Sequence, residues 1–369
     1  MRKKYIFMLK QLQIFFDFLR FCIGSTKEIP SSLKEADWKE IYAIAKKQCL
    51  VGVLFDGIKK LPTEHVGMKK ELLFQWMAEC QMLEKANVRL NDAAIQVSEW
   101  FRKKGFRTCI LKGQGNALMY PNPNSRTPGD IDIWVEGGDK RVISFVRSIS
   151  PHEKACYHHI EFPSYKGVEV EVHYRPSFLL CFWHNRKLQK YYERVKEEQF
   201  SHRVMLGEQG EIAIPTVEFN IIFQLTHIYS HLMNEGIGLR QLVDYYYLIS
   251  MLSVNCEMLT SLQKELKDLG LWKFAGGIMY IMKEVFGMPA SRLIVPPNEK
   301  YGRFVLNEVL EAGNFGRHDE RYWFGKSKLG HNLQRVYRDI RLVTYFPAEA
   351  LCEPIFRTWH FFWRMKNKK

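Results

Sequence analysis

Three features are missing from the sequence, and each absence argues against a class of protein. The eight cysteines are scattered without a C-x-x-C pair in a chain of 369 residues, which is too long to need disulfide crosslinks, so we expect a reduced, cytoplasmic protein. No apolar run reaches the roughly 18 to 20 residues that a transmembrane helix requires. The basic and apolar N-terminal stretch is interrupted by charged residues and lacks a small-x-small cleavage site, which favours an amphipathic helix over a signal peptide.

Positive charge is in excess. The chain carries 54 Lys+Arg against 40 Asp+Glu, a formal net charge of +14. Nucleic acid, an anionic membrane surface and a phosphate-bearing small molecule would all be attracted by such a charge. Because 46% of the residues are hydrophobic and 14% are aromatic, the chain can also bury a sizeable core and is expected to fold.

The spacing of apolar residues divides the chain into three parts. Helical spacing dominates to about residue 100 and again from Thr216 onward, whereas short apolar and alternating runs between them predict strands. We therefore predict an α+β protein with a strand-containing middle between two helical arms. The predicted divisions are an N-terminal helical region over 1–95, a core over 96–205 and a C-terminal helical domain over 206–369.

A pair of carboxylates marks the most informative segment, Gly129 to Val135. Asp130 and Asp132 are two residues apart in a predicted strand, so their side chains point to the same face. Two unneutralised carboxylates held side by side repel each other, and a divalent cation such as Mg²⁺ would resolve the repulsion. The alternative is that the pair lies at a solvated strand edge.

The neighbouring segments favour a metal and phosphate site. Upstream, a short apolar run ends in Lys112-Gly113-Gln114, where a strand leading into a short helix could bring backbone amides close to phosphate. Downstream, Glu169, Glu171 and His173 share one face of a predicted strand and offer a third carboxylate. The alternative for this strand is a solvated hairpin face paired with other polar residues.

These motifs together resemble a known superfamily. The glycine-ended strand LKG, the D-x-D strand GDIDIWV and the acidic strand EVHYR are similar to the pattern of nucleotidyltransferases with a DNA polymerase beta-like palm. Within that superfamily the chain more closely resembles a family of bacterial nucleotidyltransferases related to the aminoglycoside nucleotidyltransferases and to toxin-type or antitoxin-type transferases. The matching block runs from about Gly105 to Arg175 and implies a small mixed sheet of the nucleotidyltransferase type.

The resemblance implies an activity and a set of site residues. It implies Mg²⁺-dependent, or Mn²⁺-dependent, transfer of a nucleoside monophosphate from a nucleoside triphosphate such as ATP to a hydroxyl acceptor, with release of pyrophosphate. The implied catalytic and metal-binding residues are Asp130, Asp132 and Glu171, the last preferred over Glu169 because of its E-x-H-x-R context. Gly113 matches the glycine of the phosphate-facing turn. With it we predict Lys112, Gln114 and Arg126 as nucleotide-binding residues, Lys112 and Arg126 being cations that flank the same cleft.

Three of the nucleotide-binding assignments have specific alternatives. Gln114 stands where the superfamily usually has Gly or Ser, so the usual hydroxyl contact to the triphosphate is absent. Arg126 could engage phosphate in a bidentate way or pair with a nearby carboxylate. Lys112 could contact phosphate or be turned away from the site by strand alternation.

Other functions remain open at this level. A basic cluster with interleaved tyrosines, from Arg186 to Arg203, could form a nucleic-acid footprint, although a solvated helix face is the commoner explanation. The acceptor could be a small molecule, a protein or an RNA end, and nucleic acid is a possible but not the favoured partner. We expect no membrane partner. The alternative function is an RNA-binding or non-catalytic interaction protein that retains a degenerate transferase fold.

Overall fold

A computed structural model of the protein describes residues 2–62, 67–208, 210–253, 255–316 and 328–367. Within these ranges a four-stranded mixed sheet lies between helical N-terminal and C-terminal regions. The predicted α+β fold is therefore confirmed. The predicted divisions at 95/96 and 205/206 stay predictions, and the first of them falls inside a continuous helix.

Among the described residues, four α-helices form the N-terminal region. They are α1 (Arg2–Cys22), α2 (Trp38–Lys47), α3 (Val51–Ile58) and α4 (Lys70–Lys103). The Asp37 side chain caps α2 by accepting the Lys39 backbone N–H, which satisfies one of the amides left open at a helix start. At 34 residues, α4 reaches from the N-terminal core, where it buries Trp76, to the core beneath the sheet, where it buries Phe101.

The central sheet follows, together with two short helices. The elements are β1 (Thr108–Ile110), α5 (Gln114–Ala117), β2 (Ile131–Val135), α6 (Gly138–Ile149), β3 (His159–Tyr165) and β4 (Val168–His173). The strand order is β1-β2-β4-β3, in which β2 runs parallel to β4 and the other two pairings are antiparallel. A parallel pair needs a crossover connection, and α6 lies in the segment that links β2 to the β3–β4 hairpin.

The two faces of the sheet have different partners. Ile133 of β2 and Val172 of β4 are fully buried in one hydrophobic cluster, which also contains residues of α4 and α6. Trp134 points to the other face, where its ring centroid lies 4.6 Å from that of Phe200 and 5.9 Å from that of Phe219. Alternation along β2 therefore places Asp132 on the face that looks toward the C-terminal helices.

The remaining elements are mostly helical. They are α7 (Phe182–Ser201), β5 (Arg203–Met205), β6 (Glu211–Ala213), α8 (Val217–Asn234), α9 (Leu239–Met251), α10 (Cys256–Asp268), α11 (Trp272–Glu284), α12 (Glu299–Ala312), α13 (Lys328–Val343) and α14 (Pro347–Lys366). The Thr216 hydroxyl caps α8 by accepting the Phe219 N–H. No helix in the described ranges is long and apolar enough to cross a membrane.

A close backbone contact joins α3 to the loop that precedes β2, and its loss should destabilise the protein. A Cβ atom at Gly52 would be forced against the carbonyl of Ser125, whose carbon would lie 2.9 Å away. We expect Gly52→Ala to lower the free energy of unfolding by about 2 kcal/mol or more, although alanine is the better helix former by about 1 kcal/mol. Urea denaturation measures the change.

The matched control is Gly67→Ala, because no atom lies within 4 Å of a Cβ at Gly67. This variant should unfold at the same urea concentration as the parent protein. Equal stability of the two alanine variants would contradict the assignment of a tight contact at Gly52.

Candidate active site

Three carboxylates meet at one end of the parallel strand pair. Asp132 on β2 is the register partner of Glu171 on β4, and Asp130 directly precedes β2. One oxygen from each of the three carboxylates lies within 4.8 Å of the others. Glu169 is exposed and stands apart from this group, so the structure brings together the three residues that the sequence singled out for the metal.

Asp132 is the buried centre of this group. Its side chain is only 3% exposed, and its Oδ1 atom lies 2.9 Å from Lys112 Nζ and 2.9 Å from His173 Nε2. Burial alone would raise the pKa of Asp132, but Lys112 and His173 together hold it below its ordinary value. Burial would likewise lower the pKa of His173, yet Asp132 and Glu171 raise it to about 9.

The pKa values of the other two carboxylates shift in opposite directions. The negative charge of Asp132, together with burial, raises the pKa of Asp130 to about 6. Burial would raise the pKa of Glu171, but the hydrogen bond that it accepts from His173 lowers this pKa below its ordinary value. In the absence of a cation, the group is therefore held together by Lys112 and His173, and Asp130 is the carboxylate that is least well neutralised.

The turn after β1 places Lys112 and Gly113 beside the carboxylates. Gly113 adopts a φ of 54°, a left-handed backbone conformation that glycine tolerates best, and it precedes the four-residue helix α5. Lys112 points into the cleft, so strand alternation does not turn it away. Gln114 is buried and donates to the side chain of Asn91 on α4, away from the cleft lining. Its assignment to nucleotide binding stays a prediction.

Arg126 is paired with a carboxylate, which is the alternative that the sequence left open. Its Nε and Nη2 atoms donate to the two oxygens of Asp244 on α9, each at 2.8 Å. Both side chains are 4% exposed. Burial would raise the pKa of Asp244, and Arg126 instead lowers it. The pair ties the loop before β2 to the C-terminal helices, and a role for Arg126 in binding nucleotide stays a prediction.

A cleft separates the sheet edge from α8 and α9. Its cavity volume is about 50 Å³, and Asp130, Asp132, Lys112 and Arg126 line it. The facing wall consists of polar and apolar residues of the two helices: Gln224, His227, Ile228, Arg240, Gln241 and Asp244. His227 Nε2 lies 3.2 Å from Lys112 Nζ.

Several of these wall residues were not assigned a role from the sequence. Gln224 lies almost one helical turn before His227, and its amide donates to Asn116 on α5 at 2.9 Å. Asn116 also donates to Asp244 at 3.3 Å. In the sequence, Gln224 and His227 are polar residues about one turn apart on an otherwise apolar helix, which is a sign of a functional face. Only the fold shows that this face lies opposite the carboxylates.

Comparison with known proteins identifies the family. The profile of a family described as "Uncharacterised nucleotidyltransferase" matches residues 34–287, more than half of the chain. The chain belongs to this nucleotidyltransferase family. It is also similar to the crystal structure of an antigenic nucleotidyltransferase-like protein from Paracoccidioides brasiliensis, with a TM-score of 0.33 and 15% sequence identity, over 58% of this chain and 96% of that chain. A search of curated proteins finds no match.

The basic cluster from Arg186 to Arg203 is largely paired with acidic groups. Ion pairs join Lys187 to Asp268, Arg194 to Glu265, Lys196 to Glu193 and Arg203 to Glu211. Arg186 and Lys190 are exposed beside a groove. Much of the local charge is therefore balanced within the chain, and binding of nucleic acid stays an open prediction.

The buried pair between Arg126 and Asp244 should be costly to break. Asp244→Ala leaves the guanidinium buried without its carboxylate, and we expect it to lower the free energy of unfolding by about 3 to 5 kcal/mol. Tyr120→Phe removes only the 2.6 Å hydrogen bond that the tyrosine donates to the same carboxylate, at a cost of about 1 kcal/mol. Urea denaturation of both variants tests this difference, and similar losses would contradict it.

The raised pKa of Asp130 predicts how the stability of the protein depends on pH. Its folded pKa of about 6 is above its ordinary value of 3.8, so the stabilisation from protonated Asp130 is fully present below 3.8 and is lost as the pH rises through 6. With a chelator present, the stability of the parent protein relative to Asp130→Asn should fall by at least about 1 kcal/mol between pH 4.5 and 7.5.

Urea denaturation of the two proteins at both pH values measures this difference. Referring each value to Asp130→Asn removes the contribution of the histidines, which titrate in both proteins. A difference that stays constant, or that grows with pH, would contradict the raised pKa.

Proposed function

We propose that this nucleotidyltransferase moves a nucleoside monophosphate from a nucleoside triphosphate to a hydroxyl acceptor and uses a divalent cation held by Asp130, Asp132 and Glu171. The observation that carries the proposal is the convergence of these carboxylates on one end of a parallel strand pair, within 4.8 Å of one another. Asp130 and Asp132 line a cleft whose other lining residues include the cations Lys112 and Arg126.

The residues fit a hard cation. Carboxylate oxygens are the ligands that Mg²⁺ and Mn²⁺ prefer, and Mg²⁺ is usually bound by one or two carboxylates together with substrate phosphates. The raised pKa of Asp130 also fits, because its largest cause is the negative charge of Asp132, and a bound cation would relieve that repulsion. When bound, the cation would neutralise developing charge on the phosphate oxygens.

The side chains around the carboxylates supply the remaining functions. Lys112 projects into the cleft 2.9 Å from Asp132 and can exchange that contact for a phosphate oxygen of the donor. Gly113 allows the chain to turn without a side chain between Lys112 and α5. Burial of Asp132 keeps water away from one side of the site, which strengthens each electrostatic contact.

The transfer step itself is a displacement at phosphorus. The acceptor oxygen forms a bond to the α-phosphorus, the bond from that phosphorus to the bridging oxygen of the β-phosphate breaks, and pyrophosphate leaves with the bond electrons. The proton of the hydroxyl passes to a carboxylate, and we assign this role to Glu171, which is partly exposed and whose pKa lies below its ordinary value. The wall formed by α8 and α9 is the surface on which the acceptor would lie.

Calorimetry with ATP, CTP, GTP and UTP in the presence and absence of Mg²⁺ tests the proposal. The parent protein should bind at least one of them in a Mg²⁺-dependent way. Glu171→Gln should weaken that binding by at least about tenfold, because removal of one charged contact typically costs about 1.5 to 3 kcal/mol.

Glu169→Gln is the matched control, since it removes the same charge two residues away on β4 but outside the carboxylate group. It should bind nucleotide like the parent protein. The proposal fails if the parent protein shows no Mg²⁺-dependent nucleotide binding, or if the two glutamine variants lose affinity equally.

A further inference from the structure

Two histidines next to Glu171 are not used by the proposed transfer step. His173 ends β4, and His159 begins β3 directly opposite it in the antiparallel register. Both face the same side of the sheet as Glu171. The imidazole centroids of the two histidines are 5.2 Å apart, so β3 and β4 bring two nitrogen ligands and a carboxylate to one place.

We propose that His159, Glu171 and His173 form a second metal site, which takes a divalent transition metal such as Zn²⁺. This inference extends the proposed function, because the site shares Glu171 with the carboxylate group. It is a different site in kind, since two of its three ligands are imidazoles that bind Zn²⁺ well and Mg²⁺ poorly.

Two of the distances between the ligand atoms match those of a tetrahedral site. Glu171 Oε2 lies 3.3 Å from His159 Nδ1 and 3.4 Å from His173 Nε2. Ligand atoms bonded to tetrahedral Zn²⁺ at about 2.0 to 2.1 Å are about 3.3 to 3.4 Å apart. One ligand atom from each of the three residues lies within 4.8 Å of the others. His159 Nδ1 also lies 3.0 Å from His158 Nε2, so a metal would take the place of that contact.

The surroundings of His173 also suit a metal ligand. Its Nδ1 atom lies 3.4 Å from the backbone carbonyl of Arg175, while its Nε2 atom lies 2.9 Å from Asp132 Oδ1 and 3.4 Å from Glu171 Oε2. Histidines that bind metals commonly donate their second nitrogen to such a carbonyl. Binding would replace the 2.9 Å contact of Nε2 with Asp132, and as long as no nucleotide is bound Asp132 would keep Lys112 as its partner.

The two proposed sites would be adjacent and linked through Glu171. The carboxylate group offers oxygen ligands from Asp130 and Asp132, whereas the histidine group offers nitrogen ligands. A carboxylate can serve both groups because it has two oxygens. Occupancy of the histidine site would therefore affect how Glu171 takes part in nucleotide binding.

The test is a calorimetric titration of the full chain with Zn²⁺ alone, after removal of metals with a chelator. The parent protein should bind one ion with an imidazole signature in its X-ray absorption spectrum. His159→Gln should weaken that binding by at least about 100-fold, because even partners outside the ligand shell change metal affinity by about 10- to 100-fold. His152→Gln, an exposed histidine shortly before β3, should bind like the parent protein.

Asp130→Asn separates this inference from the proposed function. It should keep its Zn²⁺ affinity within about threefold of the parent value while losing Mg²⁺-dependent nucleotide binding. The inference is overturned if the parent protein binds no Zn²⁺, if its bound Zn²⁺ lacks imidazole ligands, or if Asp130→Asn loses Zn²⁺ as His159→Gln does. Loss of nucleotide binding alone would leave the zinc site standing.

Discussion

The buried carboxylate of Asp132 is the constraint on which the site depends. A carboxylate with 3% side-chain exposure needs positive charge within hydrogen-bonding distance, because burial of an unpaired charge costs several kcal/mol. Lys112 and His173 provide that charge from the turn after β1 and from the end of β4. The side chains that meet around Asp132 therefore come from all three sequence motifs, although these motifs are far apart in the chain.

The helical regions keep this point in place. The ion pair between Arg126 and Asp244 fixes the loop before β2 against α9, and the close contact of Gly52 with Ser125 fixes the same loop against α3. The loop is therefore anchored to both helical regions a few residues before Asp130. Such support from outside the site is what keeps binding groups in a defined geometry.

Much of the fold and of the carboxylate group could be predicted from the sequence. Alternation along β2 and β4 predicted which face each side chain takes, and the structure has Asp132 and Glu171 side by side because β2 and β4 pair in parallel. The E-x-H-x-R context favoured Glu171 over Glu169, and the structure has Glu171 in the group and Glu169 exposed outside it. The family resemblance suggested by these motifs is confirmed by the match over residues 34–287.

The partners of the polar side chains could not be predicted in the same way. Arg126 pairs with a residue 118 positions away in the chain, and Gln114 contacts Asn91 on α4, so neither contact follows from local spacing. His159 and His173 come together only because of the register of the hairpin. Long-range contacts of this kind depend on how the helices pack against the sheet, which periodicity alone does not determine.

A crystal structure with a nonhydrolysable nucleoside triphosphate and Mn²⁺ is the most direct test of the central claim. The account predicts an anomalous Mn²⁺ peak between Asp130, Asp132 and Glu171, in contact with the triphosphate, with Lys112 turned toward a phosphate oxygen. A nucleotide bound away from these carboxylates, or a Mn²⁺ ion that contacts none of them, would contradict it.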